Sequence, residues 1–524
     1  MRRAWGVLLS LLVACTAKPS GPLDAGSSAP RRLIILSTAD VGGDTEPCGC
    51  KIRPLGGVAR RVQAVRALGE ALVVDGGDHF FRTEELDPRD EPQAKATAEL
   101  LADALAEMKA QALVVGERDL ALGRPALAAL GARARLTLLG GNLIDAQTGT
   151  AAFARTALVR IAGVSVGIVG VSLPAPAVLA RVGLQADPPA PVLEQGATEL
   201  RQRGAEVVVA LLHAETAVAR ALLAELPSAL VDVAIAGGDR IEGPDPELIQ
   251  PGPAALILPG QRGKWLDVVE LRLIPGAKGV ELADAELRGR AALAALDSRI
   301  REVSTASNAV ADRAALLSRL QHRREKLLAE RGGLELGKRH ALSHRLEAMD
   351  LSLPEDAVMG ARVRDYLARL EALNAERAKL GGAVAYLGST SCKRCHAAEY
   401  NDWRSTPHGQ AFQTLTRAKQ GANLDCVPCH STGFDRPGGP ASPAELGPLA
   451  DVGCESCHGP GALHAKTPTV ALARPREVPE SVCRECHKDQ ADQKPFVYVE
   501  RMAKVVRPPH QLSGRETPST APPR

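Results

Sequence analysis

Aromatic side chains, an excess of one charge and long apolar runs are all scarce in this chain of 524 residues. Phe, Trp and Tyr make up only 2% of it, so any large core must be aliphatic or be filled by something other than side chains. The 64 Lys and Arg nearly balance the 61 Asp and Glu, for a net charge of +3. That balance gives no basic field to attract nucleic acid, and no nucleic-acid partner is expected. Beyond the N-terminus there is no run of about 18 apolar residues, the length a bilayer span needs. The length itself exceeds one ordinary domain of about 100–200 residues, so roughly three units are expected.

The chain begins MRRAWGVLLSLLVAC, two arginines followed by a short apolar stretch that ends on Cys15. Such a stretch is too short to cross a membrane but suits a cleaved export signal. It resembles a bacterial lipoprotein signal, which implies removal of residues 1–14 and lipidation of Cys15. The alternative is an ordinary secretory signal with an incidental cysteine. Either reading places the protein outside the cytoplasm; the first, on the periplasmic side, anchors it through lipid to the inner or outer membrane. Residues 15–30, rich in Gly, Ser and Pro, read as a flexible tether.

Eleven cysteines in an exported chain raise the question of a disulfide framework. Their spacing points elsewhere. Eight fall into four pairs, each followed at once by histidine: Cys392, Cys395 and His396; Cys426, Cys429 and His430; Cys454, Cys457 and His458; Cys483, Cys486 and His487. In C-x-x-C-H both thiols add to haem vinyl groups and the adjacent histidine is held under the iron as the proximal ligand. Zinc pairs or disulfides would not need histidine in the fifth place four times over. About four haems c are therefore expected, supplying the apolar bulk that so polar a segment lacks.

Each iron has a sixth position, and histidine commonly fills it in electron carriers. The candidates are His408 in YNDWRSTPHGQAF, His464 in CHGPGALHAK and His510 in VVRPPHQ. The segments C-x-x-C-H…Y-x-x-W-x-x-S-x-H at Cys392–His408 and C-x-S-C-H-G-P-G-x-x-H at Cys454–His464 resemble the cytochrome c-554 family of multihaem proteins. The resemblance covers about residues 385–510 and implies a small, mostly α or irregular tetrahaem domain in which such downstream histidines are distal ligands. Three candidates for four irons leave one that is five-coordinate or that borrows His322, His340 or His344. Residues 511–524 are expected to be a disordered tail.

The N-terminal 250 residues have another character. Runs such as RLIILS, ALVVDGGD, ALVVGERD, VSVGIVGVS, EVVVALLH and VDVAIAGGD alternate with helical patterns such as PQAKATAELLADALAEMKA. Continuous Val, Ile and Leu strands between helices indicate an α/β layered domain with buried strands, whose sites gather at strand ends. In chain order, Asp40, Asp78, Gly116-Glu117-Arg118-Asp119, His213 and Gly237-Gly238-Asp239-Arg240 resemble the five motifs of calcineurin-like metallophosphoesterases, in particular the 5′-nucleotidase branch. That resemblance covers residues 31–285 and implies an α/β/β/α sandwich with a divalent metal site.

The motifs are degenerate. Asp40, Asp78 and His213 fall on ligand positions, but Gly42, Glu117, Arg118, Gly238 and Arg240 stand where the pattern has ligands or a catalytic histidine. Cys48 and Cys50 offer compensating thiolates; a disulfide between them or inert thiols are the alternatives. The tentative metal set is thus Asp40, Asp78, Glu117, His213, Cys48 and Cys50, with no catalytic residue assigned. Residues 286–382, with apolar positions three and four apart among dense charge, read as a helical hairpin or coiled-coil spacer that could pair with another copy.

Three functions compete. The first is a lipid-anchored multihaem cytochrome passing electrons between redox partner proteins. The second is a metal-dependent phosphoester hydrolase with a fused cytochrome. The third is a haem enzyme acting on a small nitrogen or oxygen species. Intact haem motifs beside eroded hydrolase motifs rank electron transfer first.

Overall fold

A computed structural model describes residues 31–48, 54–239, 246–249, 254–283, 285–305, 313–332, 338–375, 377, 383–474, 478–487 and 496–505. Cys15, Cys50, Arg240 and His510 lie outside these, as do the signal, tether and tail; of Cys48 only the backbone is described.

Two sheets stack face to face in the N-terminal domain. The first has seven strands in the order Val280–Leu282, His340–Ala348, Trp265–Leu273, Arg31–Thr38, Leu72–Asp75, Ala112–Val114 and Thr137–Leu139. The second has six, in the order Glu247–Ile249, Ala254–Ile257, Val233–Gly237, Val207–His213, Val164–Ser172 and Thr156–Ile161. Within each sheet a run of four strands is parallel; in the first, Trp265–Leu273 flanks that run antiparallel, His340–Ala348 is antiparallel to Trp265–Leu273, and Val280–Leu282 is parallel to His340–Ala348, while both outer strands of the second are antiparallel to their neighbours.

Period-two alternation decides which residues meet between the sheets. Leu33, Ile35, Leu72 and Val74 point inward onto Val166, Ile168, Val209 and Ile235 of the second sheet. Leu36 and Val73 point outward and are covered by the helices Val58–Ala67, Glu91–Glu107 and Ala357–Ala375. On the far side, Pro189–Gln202 and Thr216–Glu225 cover Val169, Val208 and Ala234. The result is the expected α/β/β/α sandwich, its core almost wholly aliphatic.

The span 286–382 differs from the helical spacer expected of it. Helices Ala285–Thr305 and Arg313–Gly332 do pack on each other, with Arg324 Nε 2.7 Å from Asp297 Oδ1. The chain then returns to the first sheet as the strand His340–Ala348, antiparallel to Trp265–Leu273. Its Leu, Ala, Arg and Glu content favours helix, and pairing with an otherwise open sheet edge overrides that propensity. The following helix buries Met359, Val363, Tyr366 and Leu370 against the domain.

The C-terminal segment is built of short helices and turns, and among the described residues its own aliphatic and aromatic core cluster has four buried members, Leu415, Val427, Phe434 and Leu446. It docks on the helix Glu91–Glu107 through polar groups. Gln93 Nε2 donates to Asn423 Oδ1 at 2.9 Å, and Asn374 Nδ2 donates to Gln93 Oε1 and to the Ala422 carbonyl at 2.8 Å each. Arg377, its side chain only 2% exposed, spans Asp90 and Asp435 at 2.8 Å each.

Candidate functional sites at the strand ends and in the haem segment

The strand ends at which the first two motifs lie put Asp40 and Asp78 side by side, both in the left-handed region at φ 51° and 58°. Aspartate tolerates that conformation better than most residues. Gly116 lets Asp78 in: a Cβ there would lie 2.2 Å from Asp78 Oδ1. Asp119 then fixes the turn, its Oδ2 accepting from Asp78 N at 2.8 Å and Gly116 N at 3.0 Å, and its Oδ1 from His79 N at 2.8 Å and Phe80 N at 3.0 Å.

The centre of the site is Arg118. Its Nε is 2.5 Å from Asp78 Oδ2 and its Nη2 is 2.6 Å from Asp40 Oδ1, with all three side chains buried. The Arg118 backbone N–H donates to Asp78 Oδ1 at 2.7 Å, and Gly238 N donates to Asp40 Oδ2 at 3.0 Å. His213 Nε2 lies 3.8 Å from Asp78 Oδ1, and its Nδ1 is 3.2 Å from the Gly76 carbonyl. Burial opposes charge on His213, but Asp78 and Asp40 outweigh it and raise its pKa. Burial, with Asp78 nearby, raises the pKa of Asp40.

Of the tentative metal set, the structure brings together Asp40, Asp78 and His213, and places a guanidinium among them. Glu117 turns away, its Oε2 accepting from Ala175 N at 3.3 Å. Among the described residues no group of three or more His, Cys, Asp or Glu side chains is arranged to hold a metal ion. The residues therefore do not fit the divalent site that the resemblance implies: a cation already sits between the two carboxylates. His79 is a buried structural histidine, with Nδ1 2.8 Å from Asp75 Oδ2, which also accepts from Thr38 Oγ1 at 2.5 Å. Asp75 was not singled out from the sequence, and Asp119 was named only as the last residue of its motif, with no role; the signal for both is an acid that ends or closely follows a buried apolar run.

In the C-terminal segment each C-x-x-C-H forms a turn of helix or abuts one. Two imidazole pairs then stand out. His396 and His464 have ring centroids 6.3 Å apart and planes at 31°; His408 and His487 are 5.9 Å apart at 47°. Metal–nitrogen bonds of about 2.0 Å on both sides, plus about 1.1 Å from each nitrogen to its ring centre, put two axial histidines roughly 6 Å apart. Both centroid separations are close to that spacing. The ring tautomers agree: Nδ1 of His430, His458 and His464 lies 2.9, 2.7 and 2.7 Å from the carbonyls of Ala411, Arg474 and Val470. A carbonyl can only accept, so Nδ1 carries the hydrogen and Nε2 keeps the lone pair for a metal.

Among the described residues no second imidazole stands across from His430 or His458. His340 and His344 are engaged in the sheet, the first accepting from Ile274 N at 3.2 Å and the second with Nε2 2.8 Å from Asp267 Oδ1. His322 is exposed on the helical hairpin.

The segment also leaves apolar surface for a large partner group. Of eight large hydrophobic side chains exposed among the described residues, five are here: Val384, Leu463, Val470, Val497 and Val499. The thiols associate across motifs, Cys392 with Cys454 and Cys486 with Cys429, so motif one lies beside three and motif two beside four. The Cys392 hydrogen bond pulls the Cys454 thiol down to about 6, against burial. Motif two also faces the N-terminal site loops: Arg82 joins Asp425, next to Cys426, at 2.9 Å to Asp44 at 2.7 Å.

Four haem-binding motifs, histidine pairs at axial spacing and too little protein core define the C-terminal segment as that of a c-type cytochrome. Residues 391–459, which hold the first three motifs, match the family of cytochrome c554 and c-prime. The chain is 37% identical over 97 residues to cytochrome c-554 of Nitrosomonas europaea, a match covering 16% of this chain. It spans only 41% of that relative's length. In fold, the chain is similar to a 5′-nucleotidase precursor from Thermus thermophilus, with a TM-score of 0.46 at 16% identity over 74% of this chain and 68% of that one. It is also similar to a sulfate thiohydrolase from the same organism, with a TM-score of 0.45 at 16% identity over 64% and 60% of the two chains.

Proposed function

We propose that the chain is an exported, lipid-anchored multihaem c-type cytochrome that transfers electrons between redox partner proteins, with its N-terminal domain a scaffold rather than a hydrolase. The observation that carries this reading is the opposed imidazoles of His396 with His464 and of His408 with His487. His396 with His464, and His408 with His487, would hold a haem iron between them and leave no position for a substrate, which suits a carrier. Attached haem c supplies a reversible one-electron couple. The chain's own residues set its surroundings: carbonyl acceptors fix the ring tautomers, the adjacent motifs bring successive groups close, and Arg82 and Arg377 lock the segment onto a rigid domain.

The hydrolase reading finds no support in the site, because Arg118 takes the place of an activating cation between Asp40 and Asp78. The reading as a haem enzyme keeps one observation in its favour, the lack of a second imidazole at His430 and His458 among the described residues. The helical hairpin 285–332 is a candidate surface for self-association.

The test is a haem count with spin-state spectroscopy on the exported protein. About four covalent haems per chain are expected, of which at least two are low-spin with paired histidines. Two or fewer haems would sink the cytochrome reading. A dominant high-spin ferric signal shifted by cyanide or nitric oxide would move the assignment to a haem enzyme.

A further inference from the structure

We infer that Arg82 of the N-terminal domain sets the reduction potential of the haem carried by Cys426 and Cys429, by balancing the charge of Asp425. The inference rests on the reading of the second motif as a haem site, and goes beyond it by giving the N-terminal domain a part in electron transfer.

The N-terminal domain holds the chain just before this motif. The Leu424 backbone N–H donates to Gln93 Oε1 at 3.0 Å and that of Asp425 to Asn423 Oδ1 at 3.0 Å, while Gln93 Nε2 donates to the same Asn423 oxygen at 2.9 Å. These bonds fix residues 423–425 against the helix Glu91–Glu107. Asp425, the residue directly before Cys426, then pairs with Arg82 Nε at 2.9 Å. At the other end of the motif, His430 Nδ1 meets the Ala411 carbonyl at 2.9 Å, which leaves Nε2 its lone pair for iron.

Four charges alternate from the motif into the loops of the strand-end site: Asp425, Arg82, Asp44 and Arg262. Arg82 Nη2 is 2.7 Å from Asp44 Oδ1, and Arg262 Nε is 2.5 Å from Asp44 Oδ2. The Arg262 backbone N–H donates to the Asp40 carbonyl at 2.8 Å and ties the row to the first strand end. The row as a whole is neutral. Without Arg82 it carries one negative charge, with the uncompensated carboxylate beside the haem attachment; without Asp425 it carries one positive charge. Ferric haem is one unit more positive than ferrous haem, so a negative neighbour favours the oxidised iron and a positive neighbour the reduced iron.

Arg82 keeps part of its side chain in solvent, so screening limits the size of the effect. A unit charge about 12 Å away, at an effective dielectric constant of about 20–40, changes a one-electron equilibrium roughly three- to tenfold, or about 30–60 mV at 59 mV per tenfold.

The experiment is a spectroelectrochemical titration of the full haem-loaded chain, with haem counted in every variant. It is run at about pH 9, well above the range in which a carboxylate freed of its arginine titrates. Asp425→Asn keeps the shape and should raise the potential of one haem component by the amount above, leaving the others in place. Arg82→Gln should lower that component, and the two substitutions together should return it close to its native position. Arg82→Lys keeps the charge and should titrate as the native chain does. The segment should stay docked in all four, since Asp435 remains bonded to Arg89 and Arg377.

The inference is overturned by variants that keep their haems and show no shift, by Asp425→Asn and Arg82→Gln moving a component in the same direction, or by a shift spread evenly over all components. Each of those results leaves the haem assignment of the second motif standing. A native chain whose Cys426 and Cys429 carry no haem by peptide mass removes that assignment, and this inference with it.

Discussion

The N-terminal site is closed by the protein's own side chains, whereas the C-terminal segment is left open by them. At the strand ends, Arg118 satisfies Asp40 and Asp78, and Asp119 accepts four backbone N–H groups. In the haem segment, imidazole rings pair 6.3 and 5.9 Å apart, apolar side chains are exposed, and among the described residues the core cluster has four members. A domain of the first kind is expected to fold without an added group. One of the second kind lacks the buried area to offset chain entropy until a large apolar group is attached.

The largest expected effect breaks that contrast directly. If haem attachment is blocked, by Cys→Ala at all eight motif cysteines, residues 385–505 should lose protease resistance while residues 31–375 keep theirs. A haem-free segment as resistant as the native one would show that side chains suffice. A second test severs the two regions. Arg377→Ala removes the buried guanidinium that bridges Asp90 and Asp435 and leaves Asp435 to Arg89 alone, at a cost to docking of about 3 kcal/mol, two charge-assisted contacts at roughly 1.5 kcal/mol each. The two regions should then unfold in separate calorimetric transitions, and a single unchanged transition would mean that Arg377 does not join them. A third test is confined to the closed site. Gly116→Ala places a Cβ 2.2 Å from Asp78 Oδ1, so a loss of about 2–4 kcal/mol in denaturant unfolding is expected, with the haem spectrum unchanged.

The layered sandwich was legible because its strands are buried on both faces and read as unbroken Val, Ile and Leu runs, VVVALLH and VSVGIVGVS among them. The strand His340–Ala348 was not, since its residues favour helix and only the partner strand Trp265–Leu273 makes it extended. The haem motifs are local and therefore plain in the sequence. Their partners are not, because which imidazole meets which depends on how distant turns pack; His408 follows motif one in the chain but faces His487 of motif four. At the strand ends the sequence revealed an arginine in place of a histidine, and a conflict with metal binding. That Arg118 bonds both aspartates is a fact of geometry, since it depends on the left-handed turns at Asp40 and Asp78.

The smallest expected effect concerns the edge of the closed site. Glu46 sits in the loop that runs from Asp40 to the short strand Pro47–Cys48, and burial, reinforced by Glu355 and opposed by Arg60, pushes its pKa from 4.5 up to about 7. In the unfolded chain this carboxyl titrates near its ordinary value, so between about pH 4.5 and 7 the folded state holds more proton than the unfolded state. Stability must then fall as pH rises through that window and level off above it, opposite to a carboxylate held by an arginine. Glu46→Gln removes the titration and keeps the shape, so the stability-against-pH curve should flatten there while the rest is retained. The slope at issue belongs to the N-terminal domain alone, and it should be the same whether or not haem is attached. If Glu46→Gln leaves the slope intact, the loop beside Asp40 is more hydrated than the rest of the site, and the contrast between a closed and an open centre is weaker at that edge.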